Sequence, residues 1–471
     1  MIKININKKN SNIIVHLTPI LYAAITFIFV LRHEIWADEA QVWLLLHNLS
    51  FSGLFQQLSV EGHPCFFYLI AMPFIKLGFS LFPLQIICWL SAVFSVFLLW
   101  NYSPFGNITK AAVTLSSGFI YYLPVMIRPY SLIVLLMFSA AILYRRRVKQ
   151  PVAYAVSLAC LANTHIIMLG FVLGMLTLFI YENRRNSDYR GVNIISVAII
   201  AFSVLAAAYL ATPALNINQC FNSVAVNFSS VARVLTVLFG SLVFQADTNG
   251  ILAIGIYAAI TAILFLWALY ILKKRDLPLF FTAAAGILFQ LYIYSFKYSL
   301  LFPARTFIIP VILITCFWMA GPEKKNIYKK SADIIIAALF LLTLPSGIIA
   351  AAKDFSGNYS GGKEMAAFIK KNIGAGDSVL VSQSPVCCSV SLVYYLRDRE
   401  VYFNGRNVEY TDWRKVKEPF APDIGAYKNK KVYFIITDAD KNINIAGGYK
   451  MMYKTKPSAA PCETLGIIRV K

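Results

Sequence analysis

Charged residues are scarce in this sequence, and acidic ones are the scarcest. Asp, Glu, Lys and Arg make up 14% of the 471 residues, and only 22 residues are acidic, whereas about 25% of a soluble protein is charged. In their place are apolar runs of about twenty residues, the length that crosses a bilayer as a helix. One such run, residues 253–272, shows no period-two alternation, which argues against the strands of a membrane barrel. The sequence therefore predicts an all-α polytopic membrane bundle.

Several motifs are absent, and each absence excludes a class of function. There is no G-x-x-x-x-G-K-[ST] and no G-x-G-x-x-G, so ATP or dinucleotide binding has no support. The eight cysteines never form a C-x-x-C pair, which removes the usual zinc and redox motifs. No internal repeat is visible, although inverted repeats are common in transporters.

The basic residues are numerous, giving a net charge of +21, but they are confined to short loops. Four clusters stand between apolar runs, at 144–150, 183–190, 272–276 and 323–330. This is the positive-inside pattern of membrane proteins, which places these loops in the cytoplasm. The charge therefore indicates a membrane orientation, and no nucleic acid partner is expected.

The basic loops also set the predicted topology. Segment 13–31 follows three lysines and has no A-x-A cleavage pattern, so we interpret it as an uncleaved signal-anchor with a cytoplasmic N-terminus. Segment 63–82 contains two prolines and a lysine, and keeping every basic loop inside requires that it not cross the membrane. The stretch 212–249 is then outside. About eleven spans result, at 13–31, 84–101, 109–126, 129–144, 151–164, 166–182, 191–211, 250–272, 278–296, 302–320 and 332–352.

Two domains are expected. Residues 1–352 form the transmembrane domain, whose first outer loop, 32–83, contains interfacial amphipathic helices. Residues 353–471 are polar, with a predicted helix at 363–373 and strands at 377–383, 400–405 and 430–438, separated by turns such as FNGR at 403–406. The odd number of spans makes this tail a small extracytoplasmic α/β domain.

The first outer loop contains the candidate reactive groups. Asp38 and Glu39 stand side by side in WADEAQ, and Glu61 and His63 follow in EGHP. The simple interpretation is that any loop beside a span carries some charge. However, tryptophans at 36 and 43 would anchor this pair at the membrane interface. Such a cluster is suited to general base catalysis by one acid, with or without a divalent ion such as Mg²⁺ or Mn²⁺ held by Glu39 and His63.

Four segments together resemble a known family. DE at 38–39, GHPCFFY at 62–68, RPYSL at 128–132 and FPARTFIIPVI at 302–312 are similar in order and spacing to motifs of the GT-C membrane glycosyltransferases. Within that superfamily the chain is most similar to the bacterial branch of protein O-mannosyltransferases and aminoarabinose lipid A transferases. The resemblance covers residues 10 to 352. It departs from the family at Cys65, where a second proline is usual.

The resemblance implies an enzyme of the cytoplasmic membrane that transfers a sugar from a polyprenyl-phosphate donor to an envelope acceptor hydroxyl, with inversion. Asp38 is then the catalytic base or orients the acceptor, with Glu39 beside it, and Glu61 and His63 bind substrate. A lipid or polysaccharide transporter or assembly protein without transferase activity is the alternative.

Two arginines are the candidates for binding the phosphate that leaves. Arg128 and Arg305 lie at outer span ends, and guanidinium groups bind phosphate bidentately. Snorkelling to the interface explains both equally well. His165 at another outer span end is either a substrate contact or a structural histidine. Tyr130 belongs to the same binding group, although packing explains it as well.

Overall fold

The computed structural model describes residues 13–61, 63–184, 190–216, 251–296, 303–321, 326–357, 359–381, 389–412, 427, 430–437, 450–458 and 463–470. The chain divides into two compact units. The membrane unit comprises Met1–Leu31, Gln85–Ala206 and Val224–Ile349, and the loop unit comprises Arg32–Leu84, Ala207–Ser223 and Ala350–Lys471. The first outer loop thus groups with the C-terminal segment rather than with the helices before and after it.

Helices occupy most of the described chain. In order they are α1 (Ile13–Arg32), α2 (Ala37–Asn48), α3 (Phe51–Glu61), α4 (Phe66–Lys76), α5 (Phe82–Tyr102), α6 (Asn107–Leu115), α7 (Gly118–Val125, beginning as a π-helix), α8 (Tyr130–Tyr144), α9 (Pro151–Ala162), α10 (Leu169–Asn183, preceded by a 3₁₀ turn at Ile166–Met168), α11 (Arg190–Asn216), α12 (Ile251–Arg275), α13 (Leu277–Phe296), α14 (Pro303–Thr306), α15 (Ile308–Ala320), α16 (Asn326–Leu341), α17 (Leu344–Phe355), α18 (Gly361–Asn372) and α19 (Val390–Tyr395).

The predicted membrane bundle is confirmed in its class. Among the described residues, six helices are long and apolar enough to cross a membrane, or seven if the bent pair α7–α8 counts as one span. The chain is therefore a multi-pass membrane protein, and the number eleven stays a prediction. The sequence predicts that the stretch 212–249 is outside the membrane, but residues 217–249 are outside the described residues. Helix α4 has 11 residues and is about 16 Å long, roughly half the hydrocarbon thickness, which favours a segment that does not cross.

The basic loops of the membrane unit meet at one end of its helices. Arg147, after α8, donates from Nε to Glu182 at the end of α10 over 2.6 Å. Arg275, at the end of α12, donates to the carbonyl oxygen of Gly321, which follows α15. The side chain of Arg145 also lies beside Gly321. Loops that the sequence assigns to one side of the membrane are thus brought together by the fold.

The loop unit contains helices α2 to α4 of the first outer loop and a mixed sheet from the C-terminal segment. Its strands are β1 (Ser378–Val381), β2 (Val401–Phe403), β3 (Arg406–Asn407), β4 (Val432–Thr437), β5 (Lys450–Lys454) and β6 (Leu465–Val470). The sheet order is β3-β2-β1-β4-β6-β5, with β1 parallel to β2 and β4 and the other pairs antiparallel.

The predicted α/β elements of the tail are confirmed. The helix and the three strands lie where the pattern indicates, and Leu380, Phe434 and Ile468 form the core of the sheet. FNGR is a hairpin turn with positive φ at Asn404 (48°) and Gly405 (77°), as a type I′ turn requires. The sequence missed β5 and β6, whose short segments carry weaker alternation.

Candidate active site

Helix α2 begins at the acidic pair because those acids stabilise its first turn. Trp36 has extended backbone before the helix, and its N–H donates to Glu39 Oε2 over 3.3 Å. Asp38 and Glu39 both lie in the first turn, where the helix dipole favours negative charge. Trp36 and Trp43 are buried within the loop unit, 7% and 6% exposed, and their predicted place at the membrane interface stays a prediction.

A buried histidine joins this helix to the end of α17. His33 Nδ1 lies 2.7 Å from Asp354 Oδ2, and His33 Nε2 lies 2.8 Å from Glu39 Oε2. Burial by itself lowers the pKa of His33. The charges of Glu39 and Asp354 and the hydrogen bonds to both raise the pKa by more than burial lowers it, so the pKa lies well above 6.5. An imidazolium at this position donates to both carboxylates. Glu39 is therefore held in a structural ion network.

The same segment is tied to the chain after α17 by Glu34. Its backbone N–H donates to Asp354 Oδ1 over 3.2 Å, and its own Oε2 accepts from the N–H groups of Tyr359 and Ser360 over 3.2 and 3.3 Å. Burial raises the pKa of Glu34, while these backbone hydrogen bonds oppose the shift. The turn before α2 and the segment 354–360 thus form one hydrogen-bonded layer.

Asp38 differs from Glu39 in its surroundings. Glu39 is fully buried (0% exposed), whereas Asp38 is half-buried. The N–H of Ala37, immediately before Asp38, donates to Glu463 Oε1, and the charge of Asp38 contributes to raising the pKa of Glu463. Of the two predicted catalytic acids, Asp38 is the one that is partly exposed.

The third predicted acid in the loop, Glu61, accepts hydrogen bonds from two side-chain amides. Glu61 Oε1 accepts from the side chains of Gln41 over 2.9 Å and Gln57 over 3.2 Å. Gln41 also exchanges two 2.9 Å hydrogen bonds with the backbone of Thr411. His63 is half-buried between α3 and α4. Gln41 therefore links α2 both to Glu61 of α3 and to the C-terminal segment.

The predicted divalent ion stays a prediction. In the part of the chain that the structure describes, no group of three or more His, Cys, Asp or Glu side chains is arranged to hold a metal ion. Glu39 Oε2 accepts hydrogen bonds from both His33 and the Trp36 N–H. In the folded protein this carboxylate oxygen thus contacts both the first turn of α2 and the imidazole of His33.

The membrane unit brings together the other predicted binding residues. Arg305 donates from Nε to the hydroxyl group of Tyr130 over 2.8 Å, and both side chains are buried. The Tyr130 ring lies 5.7 Å from the His165 ring, and the charges of Arg305 and Arg128 both act on that histidine. Three distant sequence segments therefore form one cationic cluster of Arg128, Tyr130, His165 and Arg305.

Helix breaks position this cluster. Between α7 and α8 the chain bends by 115°, and Arg128 lies in the break with its neighbour Pro129 preceding α8. His165 has extended backbone before the 3₁₀ turn that leads into α10, and its Nδ1 accepts from the Ile167 N–H over 3.3 Å. Arg305 lies on the short helix α14. Helix ends leave unsatisfied N–H groups, which favour anions.

The cationic cluster and the basic loops lie at opposite ends of the same helices. Helices α8, α10 and α15 each start at the cluster and end at the loops where Arg147, Glu182 and Gly321 lie. Helix α8 has 15 residues and is about 22 Å long. The cluster is therefore separated from the basic loops by most of the thickness of a bilayer.

Sequence reasoning missed three residues of the loop unit. His33, Asp354 and Glu463 are buried, and each contacts the segment at the start of α2. The sequence could have indicated Asp354 as a candidate site residue, because it is an acid at the end of an apolar segment in a chain with few acids. Glu463 had no such indication, since its neighbours in sequence carry no motif.

No family model matches the chain, and no curated protein matches it by sequence. Two solved structures are similar to it, both of ArnT from Cupriavidus metallidurans. The apo structure has a TM-score of 0.54 at 12% identity, over 96% of this chain and 98% of ArnT. The structure of ArnT bound to undecaprenyl phosphate has the same TM-score and identity, over 97% of each chain. The chain thus has the fold of ArnT over nearly its whole length.

Proposed function

We propose that this protein transfers a sugar from a polyprenyl-phosphate carrier to an acceptor hydroxyl group at the outer face of the cytoplasmic membrane. The observation that carries the proposal is the buried cluster of Arg128, Tyr130, His165 and Arg305 in a chain with the fold of ArnT. ArnT itself has been solved with undecaprenyl phosphate bound. The acceptor is a lipid, glycan or protein of the envelope.

Arginine suits the departing phosphate. As the bond from the sugar to the phosphate breaks, negative charge grows on the phosphate oxygens, and fixed cationic donors stabilise that charge. Guanidinium groups donate two parallel hydrogen bonds to a phosphate. Arg128 and Arg305 are 6% and 5% exposed, so they act in a water-poor setting where this attraction is strong.

Asp38 supplies the acid–base chemistry. The acceptor hydroxyl oxygen attacks the anomeric carbon, the bond from that carbon to the phosphate oxygen breaks, and Asp38 takes the hydroxyl proton. The products are the glycosylated acceptor and polyprenyl phosphate. A single displacement of this kind inverts the anomeric configuration. Glu61 and His63 are assigned to acceptor binding in the same loop.

The orientation follows from charge. The basic loops belong in the cytoplasm by the positive-inside rule. The cationic cluster is at the opposite helix ends, which corresponds to the outer leaflet, where the phosphate of a lipid carrier resides. We propose that the N-terminus is cytoplasmic and, because the predicted number of spans is odd, that the C-terminal domain is extracytoplasmic.

Binding of undecaprenyl phosphate tests the phosphate assignment. We expect the purified protein in nanodiscs to bind undecaprenyl phosphate and Arg305→Gln to bind it about 10- to 100-fold more weakly, since a charged hydrogen bond contributes about 1.5–3 kcal/mol. Thermal stabilisation by the added lipid is the measurement. Arg145→Gln, an exposed arginine of the basic loops, is the matched control.

Undecaprenol, which lacks the phosphate, separates headgroup binding from chain binding. We expect it to stabilise the wild type much less than undecaprenyl phosphate does. Equal stabilisation by both lipids, or equal losses in the Arg305 and Arg145 variants, would contradict the phosphate site.

A further inference from the structure

A fully buried carboxyl group from the C-terminal domain contacts the start of α2. Glu463, just before β6, is 0% exposed. One of its oxygens accepts from the N–H of Ala37, and the other accepts from the hydroxyl groups of Ser360 and Ser391. Residues 37, 360, 391 and 463 are far apart in sequence, and a single side chain joins them.

The carboxyl group of Asp38 is its charged neighbour. Burial is the main cause that raises the pKa of Glu463 to about 8; its hydrogen bonds oppose the shift, and the charge of Asp38 adds to it. Burial and the charge of Asp38 therefore both disfavour a second negative charge at this position.

We infer that Glu463 is a positioning residue for Asp38, holding the first turn of α2 from within the C-terminal domain. The inference rests on the proposed function, because it assigns a role relative to the acid of that reaction. The C-terminal domain then contributes a side chain that positions the catalytic acid. A domain that merely covered a cavity would not contribute the hydrogen-bond acceptor at the residue before the reactive acid.

The chemistry of the contact supports a positioning role. A buried carboxyl group costs free energy unless it is hydrogen-bonded, and here three donors surround it. Gly361 and Gly362 have no Cβ, and their neighbours lie where one would be. A Cβ at Gly361 would lie 2.2 Å from the backbone carbonyl oxygen of Glu463, and a Cβ at Gly362 would lie 2.5 Å from Ser391 Oγ. The two glycines thus let this segment pack against the Glu463 backbone and against Ser391, one of the partners of the carboxyl group.

Alkaline pH tests the pairing of Glu463 with Asp38 without any substrate. A carboxyl group whose pKa is raised on folding contributes stability below its unfolded pKa, near 4.5, and loses that contribution as the pH rises through about 8. We therefore expect the melting temperature of the full-length wild type to fall between pH 6 and pH 9, and Glu463→Gln to flatten that fall.

Other titrating groups at this turn require difference measurements. The His33 network with Glu39 and Asp354 also loses its charge at high pH, and Glu34 hydrogen-bonds the Ser360 N–H. Each variant is therefore compared with the wild type at every pH. Asp38→Asn should move the midpoint of the fall to lower pH, because it removes the charge that raises the pKa of Glu463. Glu364→Gln, a carboxyl group bonded to Tyr453 in the same domain, should leave the profile unchanged.

Transfer kinetics test the positioning role itself. Glu463→Gln retains the acceptor for the Ala37 N–H, and we expect kcat within about threefold of the wild type at pH 7. Glu463→Ala removes the anchor, and a displacement of about 1 Å lowers kcat by about 10- to 100-fold with the KM for the lipid donor unchanged.

The outcomes separate the two proposals. Full transfer by Asp38→Asn would refute the proposed role of Asp38, whatever Glu463 does. Loss of transfer in Asp38→Asn together with an unchanged kcat in Glu463→Ala would overturn the positioning role alone. If Glu463→Ala does not fold, an alkaline profile of Glu463→Gln identical to that of the wild type still overturns the inference.

Discussion

Asp38→Asn is expected to lower kcat for sugar transfer by about 10²- to 10⁴-fold, the usual contribution of a positioned general base. The amide has nearly the same shape but takes no proton from the acceptor hydroxyl group. The KM for the lipid donor should change little, because the phosphate is assigned to the arginine cluster and not to Asp38. Proteoliposomes supplied with a panel of undecaprenyl-phosphate-linked sugars, assayed for release of undecaprenyl phosphate, provide the measurement.

Binding controls distinguish lost chemistry from lost folding. Asp38→Asn should bind undecaprenyl phosphate as the wild type does and melt within a few degrees of it at neutral pH. Transfer at the wild-type rate would refute the site assignment. A chain that bound the lipid phosphate but released none from any donor, in wild type and variant alike, would favour the transporter or assembly protein over an enzyme.

His33→Leu is expected to lower the free energy of unfolding by about 3–5 kcal/mol, the usual cost of removing one partner from a buried ion pair. The loss leaves Glu39 and Asp354, 0% and 3% exposed, without their shared cation. The melting temperature of the full-length protein in detergent and the denaturant midpoint at pH 7 are the measurements.

A triple variant without charges at residues 33, 39 and 354 is the control for His33→Leu. Adding Glu39→Gln and Asp354→Asn to His33→Leu removes the two buried charges, so the triple variant should recover a large part of the lost stability. A single variant as stable as the wild type, or a triple variant much less stable than the single one, would contradict the ion network. His16→Leu, in the apolar helix α1, is the matched substitution.

The membrane class and the grouping of the basic loops could be predicted because they depend on local composition. Apolar runs of span length leave few alternatives to helices, and the loops at 144–150 and 272–276 carry charge that the membrane sorts by side. The turn at 403–406 was predictable for the same reason, since Asn-Gly supplies positive φ within four residues. Each of these signals is complete within a short stretch of chain.

The site was only partly predictable. Asp38 and Glu39 look equivalent in WADEAQ, yet one is half-buried beside Glu463 and the other is buried against His33. The difference comes from which side of the first turn of α2 each side chain faces, and from what the C-terminal segment places there. No periodicity in the sequence reports that.

The sequence by itself determined that this is a multi-pass membrane protein with basic loops on one side, an acidic pair after its first span and an α/β tail. The tertiary structure alone decided that Arg305 meets Tyr130 and that Glu463 meets the start of α2. The physical reason is that hydrophobic pattern and charge act over one or two helical turns. A hydrogen bond between residues hundreds of positions apart exists only once packing has brought them together.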